Sequence, residues 1–125
     1  MTTQRLLIVD DVPQVRKELR TLFSLAGEVD VVGEAGNGLE AIRLADALQP
    51  DVILMDLEMP VLDGYEAAQQ IKERWPQCKV IALTIHGYEA ARTKAAQAGV
   101  DAFVVKGAPV ETIIQMIEKG ENDGH

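Results

Sequence analysis

The sequence predicts an open, parallel α/β sheet of five strands, each followed by a helix. Three observations carry this reading. Five short apolar runs punctuate the 125 residues. They are rich in Val, Ile or Leu, the pattern of strands buried on both faces in helix-covered parallel sheets. Amphipathic stretches of about 10–14 residues with 3.6-residue spacing lie between the runs. Turn signals separate the units: Gly36-Asn37-Gly38, Pro50-Asp51, Asp63-Gly64, Pro76, Gly87 and Gly99.

The elements follow in order. The first strand is Leu6-Leu7-Ile8-Val9, and its helix presents Val15, Leu19, Leu22 and Ala26 on one face. Pro13 suits the first turn of that helix, and Asp10-Asp11 are candidates to cap it. The second strand runs from Val29 to Ala35; its helix aligns Ile42, Ala45 and Leu48 or Gln49. Val52-Ile53-Leu54-Met55 form the third, followed by a helix marked by Ala67, Ala68 and Ile71 and ended by Trp75-Pro76. Val80-Ile81-Ala82-Leu83 form the fourth. The next helix, Glu89 to Ala98, has only Ala90, Ala91, Ala95 and Ala98 as its apolar face. At about 25 cal/mol per Å2 an alanine stripe anchors a helix weakly, so this element should be held least firmly. Phe103-Val104-Val105 form the last strand, and Val110, Ile113, Ile114 and Ile117 the last helical face. Five strands with right-handed crossovers suit a flavodoxin-like (βα)5 three-layer sandwich of order 2-1-3-4-5 better than the six-strand dinucleotide fold. One domain should span residues 1–120, with a polar, frayed tail over 121–125.

Composition narrows the function. Acidic residues outnumber basic ones 20 to 12, a net charge of −8. Such a surface does not wrap nucleic acid or an anionic membrane by bulk electrostatics. No apolar run approaches the roughly 20 residues of a membrane span. Met1 to Arg5 and the four apolar residues after them make no signal peptide. The single cysteine, Cys78, excludes an internal disulfide, fits a reducing compartment and reads as a semi-buried filler. The expectation is a cytoplasmic, acidic domain with no room in this length for a second, basic one.

In open α/β sheets, ligands bind outside the carboxyl ends of the strands. Asp10 and Asp11 follow the first strand, Asp56 the third, Thr84 the fourth and Lys106 the fifth. Asp51 and Asp101 precede their strands, lie at the wrong edge and read as solvated turn residues. Three carboxylates at close range repel unless a cation intervenes. Hard oxygen donors suit Mg2+ or Mn2+. Lys106 offers a compact charge for phosphate, and Thr84 a hydroxyl donor. A carboxylate among a metal, an ammonium and a hydroxyl is a phosphoryl acceptor site, and Asp56, on the central strand, is its natural nucleophile.

These residues resemble a family. Leu7-Ile8-Val9-Asp10-Asp11, Asp51 through Pro60, Asp63-Gly64, Ala82-Leu83-Thr84 and Gly99 through Lys106 resemble the receiver domain of bacterial two-component response regulators, from about Arg5 to Lys119. The spacings from Asp10 through Asp56 and Thr84 to Lys106 are 46, 28 and 22 residues. The resemblance implies phosphorylation of Asp56 by a sensor histidine kinase. It implies Mg2+ held by Asp10, Asp11, Asp56 and the backbone carbonyl of Glu58. Thr84 would be the switch hydroxyl, Phe103 the aromatic switch and Lys106 the phosphate-binding lysine. Glu58, Ile85 and His86 flank the pocket as rate-tuning positions, Ile85 being bulky where the family is usually small. A cis peptide is frequent in the family at the Lys106-Gly107 bond. Val29 through Gly38 resembles the subgroup whose receivers precede a helix-turn-helix DNA-binding domain, a domain this chain is expected to lack. Partners would be the kinase and an output domain or effector. The resemblance leaves room for a phosphorylation-dependent homodimer.

Two other readings stand beside it. Gly36-Asn37-Gly38-Leu39-Glu40-Ala41 fits the G-x-G-x-x-A dinucleotide fingerprint, with Asp56 20 residues beyond Gly36, as in a nucleotide-binding oxidoreductase fragment. That loop follows an edge strand, and the reading leaves Asp10, Asp11, Thr84 and Lys106 without a role. The second is a phosphorylation-independent interaction domain, which the intact acidic pair, Asp56 and Lys106 argue against.

Overall fold

The computed structural model describes residues 3–27, 29–85 and 87–119. The elements alternate as β1 (Gln4–Val9), α1 (Pro13–Ala26), β2 (Val29–Ala35), α2 (Gly38–Leu48), β3 (Val52–Asp56), α3 (Gly64–Arg74), β4 (Lys79–Thr84), α4 (Glu89–Gln97), β5 (Ala102–Val105) and α5 (Val110–Lys119). The five strands form one sheet of order β2-β1-β3-β4-β5 with every pairing parallel. The predicted fold and order are those observed. The polar, frayed tail predicted over 121–125 lies outside the described residues.

Strand alternation builds two large cores, with a small third cluster of Leu57, Ala82 and Ala95 beneath α4. Leu7, Val9, Ile53, Met55 and Val80 face α2 and α3, meeting Ala41, Ile42, Ala45, Ala67, Ala68 and Ile71. Leu6, Ile8, Val52, Leu54, Ile81, Leu83 and Val104 face α1 and α5, meeting Phe23, Ile113, Ile114 and Ile117. The outermost strands depart from the expected two-sided burial. β2 is fully buried only at Val29 and Ala35, and β5 only at Ala102 and Val104, because each has one neighbour.

The first and fourth helices also differ from the sequence reading. On α1 the buried residue is Phe23, at 0% exposure, while Leu22 is exposed and so is Ala26. The face therefore runs Val15, Leu19, Phe23. On α4 Ala90 is exposed, and the anchoring contacts come from Ala91 and Ala95, with Ala98 at the C-cap. Asp10 and Asp11 do not cap α1: its N-cap is Val12, without a side-chain bond, and Pro13 occupies the first turn as expected. No peptide bond among the described residues is cis, so Lys106-Gly107 is trans. No helix among them is long and apolar enough to cross a membrane.

The rim at the amino ends of the strands is tied down by side chains. Asp51 Oδ2 accepts the Arg5 amide at 2.9 Å. Asp101 is no solvated turn residue, since its Oδ2 accepts the Val80 amide and the Lys72 ammonium, each at 2.8 Å. Lys79 Nζ donates to the carbonyls of Met116 and Ile117 near the end of α5. A cleft here, lined by Gln49, Trp75, Cys78 and Lys79 among others, gathers no comparable set of buried polar groups. Burial pushes the Cys78 thiol up to about 11, so the thiolate that would react is scarce.

Candidate functional site

Burying a polar side chain is costly unless something compensates it. Among the described residues, Asp10, Asp56 and Thr84 are the buried polar or charged ones, each at 2% exposure or less. All three stand at the carboxyl ends of adjacent strands, where β1, β3 and β4 present them together. Lys106 joins them from the turn after β5. Its Nζ lies 3.1 Å from Asp10 Oδ2 and 3.4 Å from Asp56 Oδ2. Asp11 completes the acidic group from an exposed position, and carboxylate oxygens of Asp10, Asp11 and Asp56 lie within 4.8 Å of one another.

Backbone contacts fix the carboxylates. Asp10 Oδ1 accepts the Val12 amide at 2.9 Å, and the Asp10 carbonyl accepts from Arg16 Nη1 at 2.6 Å. Arg16 and Arg20 both bridge to Glu34 on β2. Asp56 Oδ1 accepts the Glu58 amide at 3.2 Å. The loop after β3 is clamped by two glycines that begin helices. A Cβ on Gly64 would collide with the Asp56 carbonyl, and one on Gly38 with the Leu62 carbonyl. Gly64 N donates to Leu57 O and Gly38 N to Leu62 O, each at 3.0 Å.

The electrostatics follow from the count of charges. Three carboxylates share one ammonium. Burial, reinforced by the charge of Asp10, raises the Asp56 pKa to about 6, against the opposing pull of Lys106. Burial alone would lower the Lys106 pKa, but its contacts with Asp10 and Asp56 outweigh that and hold it above the ordinary value. Asp10 Oδ2 is buried with no hydrogen bond of good geometry, facing Lys106 only as an ion pair. An orphaned buried oxygen in an all-oxygen donor set fits a hard divalent cation such as Mg2+ or Mn2+.

The remaining residues fall around this centre. Thr84 Oγ1 donates to Glu58 Oε1 and Oε2 at 3.0 and 3.1 Å. Nothing in the linear pattern signals this pairing, since it joins the loop after β3 to the end of β4. Phe103 is half-buried, with the Arg92 guanidinium 4.6 Å from its ring centroid. Ile85 is 62% exposed. His86 lies outside the described residues. The dinucleotide fingerprint has a structural use instead: the Glu40 carboxylate accepts the Gly36 amide at 2.7 Å, and Asn37 Oδ1 accepts the Glu40 amide at 2.9 Å. The amide of the fingerprint's first glycine is thus taken by a side chain of the chain itself.

Comparison with known proteins agrees with this geometry. The family model described as the response regulator receiver domain matches residues 6–118. The response regulator protein VraR of Staphylococcus aureus is 40% identical over 117 residues, covering 94% of this chain and 56% of that protein. The uncharacterized transcriptional regulatory protein YhcZ of Bacillus subtilis is 37% identical over 111 residues, covering 89% and 52%. The chain thus spans about half the length of these two relatives. A two-component response regulator of the LuxR family from Aurantimonas superposes with a TM-score of 0.88 at 34% identity, covering 94% of this chain and 84% of that one. A DNA-binding response regulator of the LuxR family from Staphylococcus aureus gives 0.86 at 30% identity, covering 93% and 97%.

Proposed function

The chain belongs to the response regulator receiver domain family and so to two-component phosphorelay signalling, and from that premise we propose that Asp56 is the acceptor and that the surrounding side chains run the switch. The observation that carries the proposal is the gathering of the buried polar side chains Asp10, Asp56 and Thr84 beside Lys106 at one sheet edge.

In this reading an Asp56 carboxylate oxygen forms a bond to phosphorus as the nitrogen–phosphorus bond of a kinase phosphohistidine breaks. The imidazole leaves with the bonding electron pair. Water later attacks the phosphorus, releasing phosphate and restoring Asp56. The chain acts on itself and turns over no separate substrate. The carboxylates of Asp10, Asp11 and Asp56, with the Glu58 backbone carbonyl, would hold Mg2+ or Mn2+, whose positive charge would offset that on the transferring oxygens. Lys106 attracts the phosphoryl oxygens from the other side. Thr84 then donates its hydroxyl to the phosphoryl group, and Phe103 turns into the space behind it. The α4–β5–α5 face carries the change to the output. Glu58, Ile85 and His86 set how fast the phosphoryl group arrives and leaves.

The domain extends over residues 1–120 and works in the cytoplasm. It answers to a sensor histidine kinase and controls transcription through a DNA-binding output domain, with or without phosphorylation-dependent dimerisation. The test is labelling from a phosphohistidine donor with Mg2+. Asp56→Ala should abolish it. Undiminished labelling of that variant, or full labelling of the wild type in EDTA, would overturn the assignment, and an unlabelled wild type would favour a phosphorylation-independent domain.

A further inference from the structure

We propose that the Glu58 carboxylate is an internal competitor for the Thr84 hydroxyl, holding it away from the acceptor until a phosphoryl group draws it off. The proposal rests on the reading of Thr84 as the switch residue.

The hydroxyl of a threonine has one hydrogen to give. Here that hydrogen is shared between both oxygens of one carboxylate, at 3.0 and 3.1 Å. A hydrogen bond to an ionised acceptor is roughly twice as strong as a neutral one. Thr84 is fully buried at the end of β4, so its hydroxyl needs a partner in every state of the site. A phosphoryl group on Asp56 brings strong acceptor oxygens to the same neighbourhood. The two anions therefore compete for a single proton.

Glu58 is built to lose that contest reversibly. Its residue is exposed, so the carboxylate can turn out to water and recover its solvation. No salt bridge among the described residues ties it to a Lys or Arg. Its backbone amide stays bonded to Asp56 Oδ1, so release of the side chain does not require the acceptor loop to move. Glu58 thus acts through Thr84 as a positioning residue. It sets how far the resting equilibrium leans toward the off state, a role separate from the rate at which water reaches phosphorus.

The experiment is titration of the folded chain with beryllofluoride in Mg2+, followed by NMR. Glu58→Met removes the acceptor at similar length and should raise beryllofluoride affinity about three- to tenfold. Glu58→Gln, which loses the charge but keeps an acceptor oxygen, should fall between. Removing a negative charge near an anion could raise affinity with no role for Thr84, so the decisive arm is the Thr84→Ala background. There Glu58→Met should change affinity less than twofold. An equal gain in both backgrounds, or none in the presence of Thr84, would overturn the proposal while leaving the acceptor reading intact. A folded wild type that binds no beryllofluoride would overturn both.

Discussion

The Arg16 guanidinium donates to the backbone carbonyl of Asp10 across 2.6 Å, so helix α1 reaches back to steady the residue at the end of β1. The same side chain pairs with Glu34 at 3.2 Å. The Arg20 hydrogen bond above all, with that of Arg16, overcomes burial and holds the Glu34 pKa below its usual 4.5. A lowered carboxylate pKa contributes stability above the unfolded value and loses it in acid. The Glu34 pairing therefore contributes in full at neutral pH and is lost only as pH falls below 4.5 through the lower folded value, while the bond to the Asp10 carbonyl does not titrate.

Arg16→Met should reduce Mg2+ affinity about three- to tenfold and destabilise the fold by about 1–2 kcal/mol, the scale of one lost charged hydrogen bond. Arg16→Lys should not restore it, because a lysine cannot present a planar fork to both Asp10 and Glu34. Calorimetric titration with Mg2+ measures the effect. Wild-type affinity in Arg16→Met would reduce the residue to a surface tether.

Asp56 gives the opposite pH sign. Its pKa rises from 3.8 unfolded to about 6 folded, so the native state binds the proton more tightly. Without divalent cations, stability should fall as pH climbs from about 4 to 6, by a total of about 3 kcal/mol at most. Asp56→Asn should flatten that decline and be the more stable protein at pH 7 in EDTA. Urea denaturation at pH 5 and pH 7 with and without Mg2+ checks it, and Mg2+ should erase much of the difference.

Val61 holds a left-handed backbone at φ 71° in the loop after β3, although it is β-branched. Such a conformation is strained for a branched side chain, and at 74% exposure Val61 gains little burial in return. Val61→Asn should stabilise the fold by about 1 kcal/mol, since Asn tolerates this region. A drop in melting temperature would show that the valine is held by something other than its backbone.

Helix α4 should exchange its amides well before α5. It buries Ala91 and Ala95, whereas α5 buries Ile113, Ile114 and Ile117, and local opening is cheapest where little apolar area is covered. Beryllofluoride should change protection over Glu89 to Gln97 most. Changes confined to α1 and α2 would place the switch elsewhere.

The sequence showed the strand-end residues because alternation and turn signals decide which end of each strand is which, and five strands with right-handed crossovers suited the flavodoxin-like order. It did not decide between Leu22 and Phe23, since both continue the Val15–Leu19 spacing on a 3.6-residue helix. Only docking against Ile8 and its neighbours selects the larger ring. The Arg16 contact was invisible for another reason: its acceptor is a backbone carbonyl, which every residue has. The Glu58–Thr84 pair escaped because it depends on how far the β3 and β4 loops lean together, a distance that local pattern does not encode.

The seclusion of Cys78 has a practical consequence. A chain whose one native thiol is buried and reluctant to ionise is ready for site-specific labelling without first being stripped of cysteine. A fluorophore at Arg43→Cys would ride on the helix clamped through Gly38 to the acceptor loop, and at Lys94→Cys on the loosely held α4. The pair would make one silent and one responsive reporter on a single scaffold, with the silent one serving as the internal standard for the other.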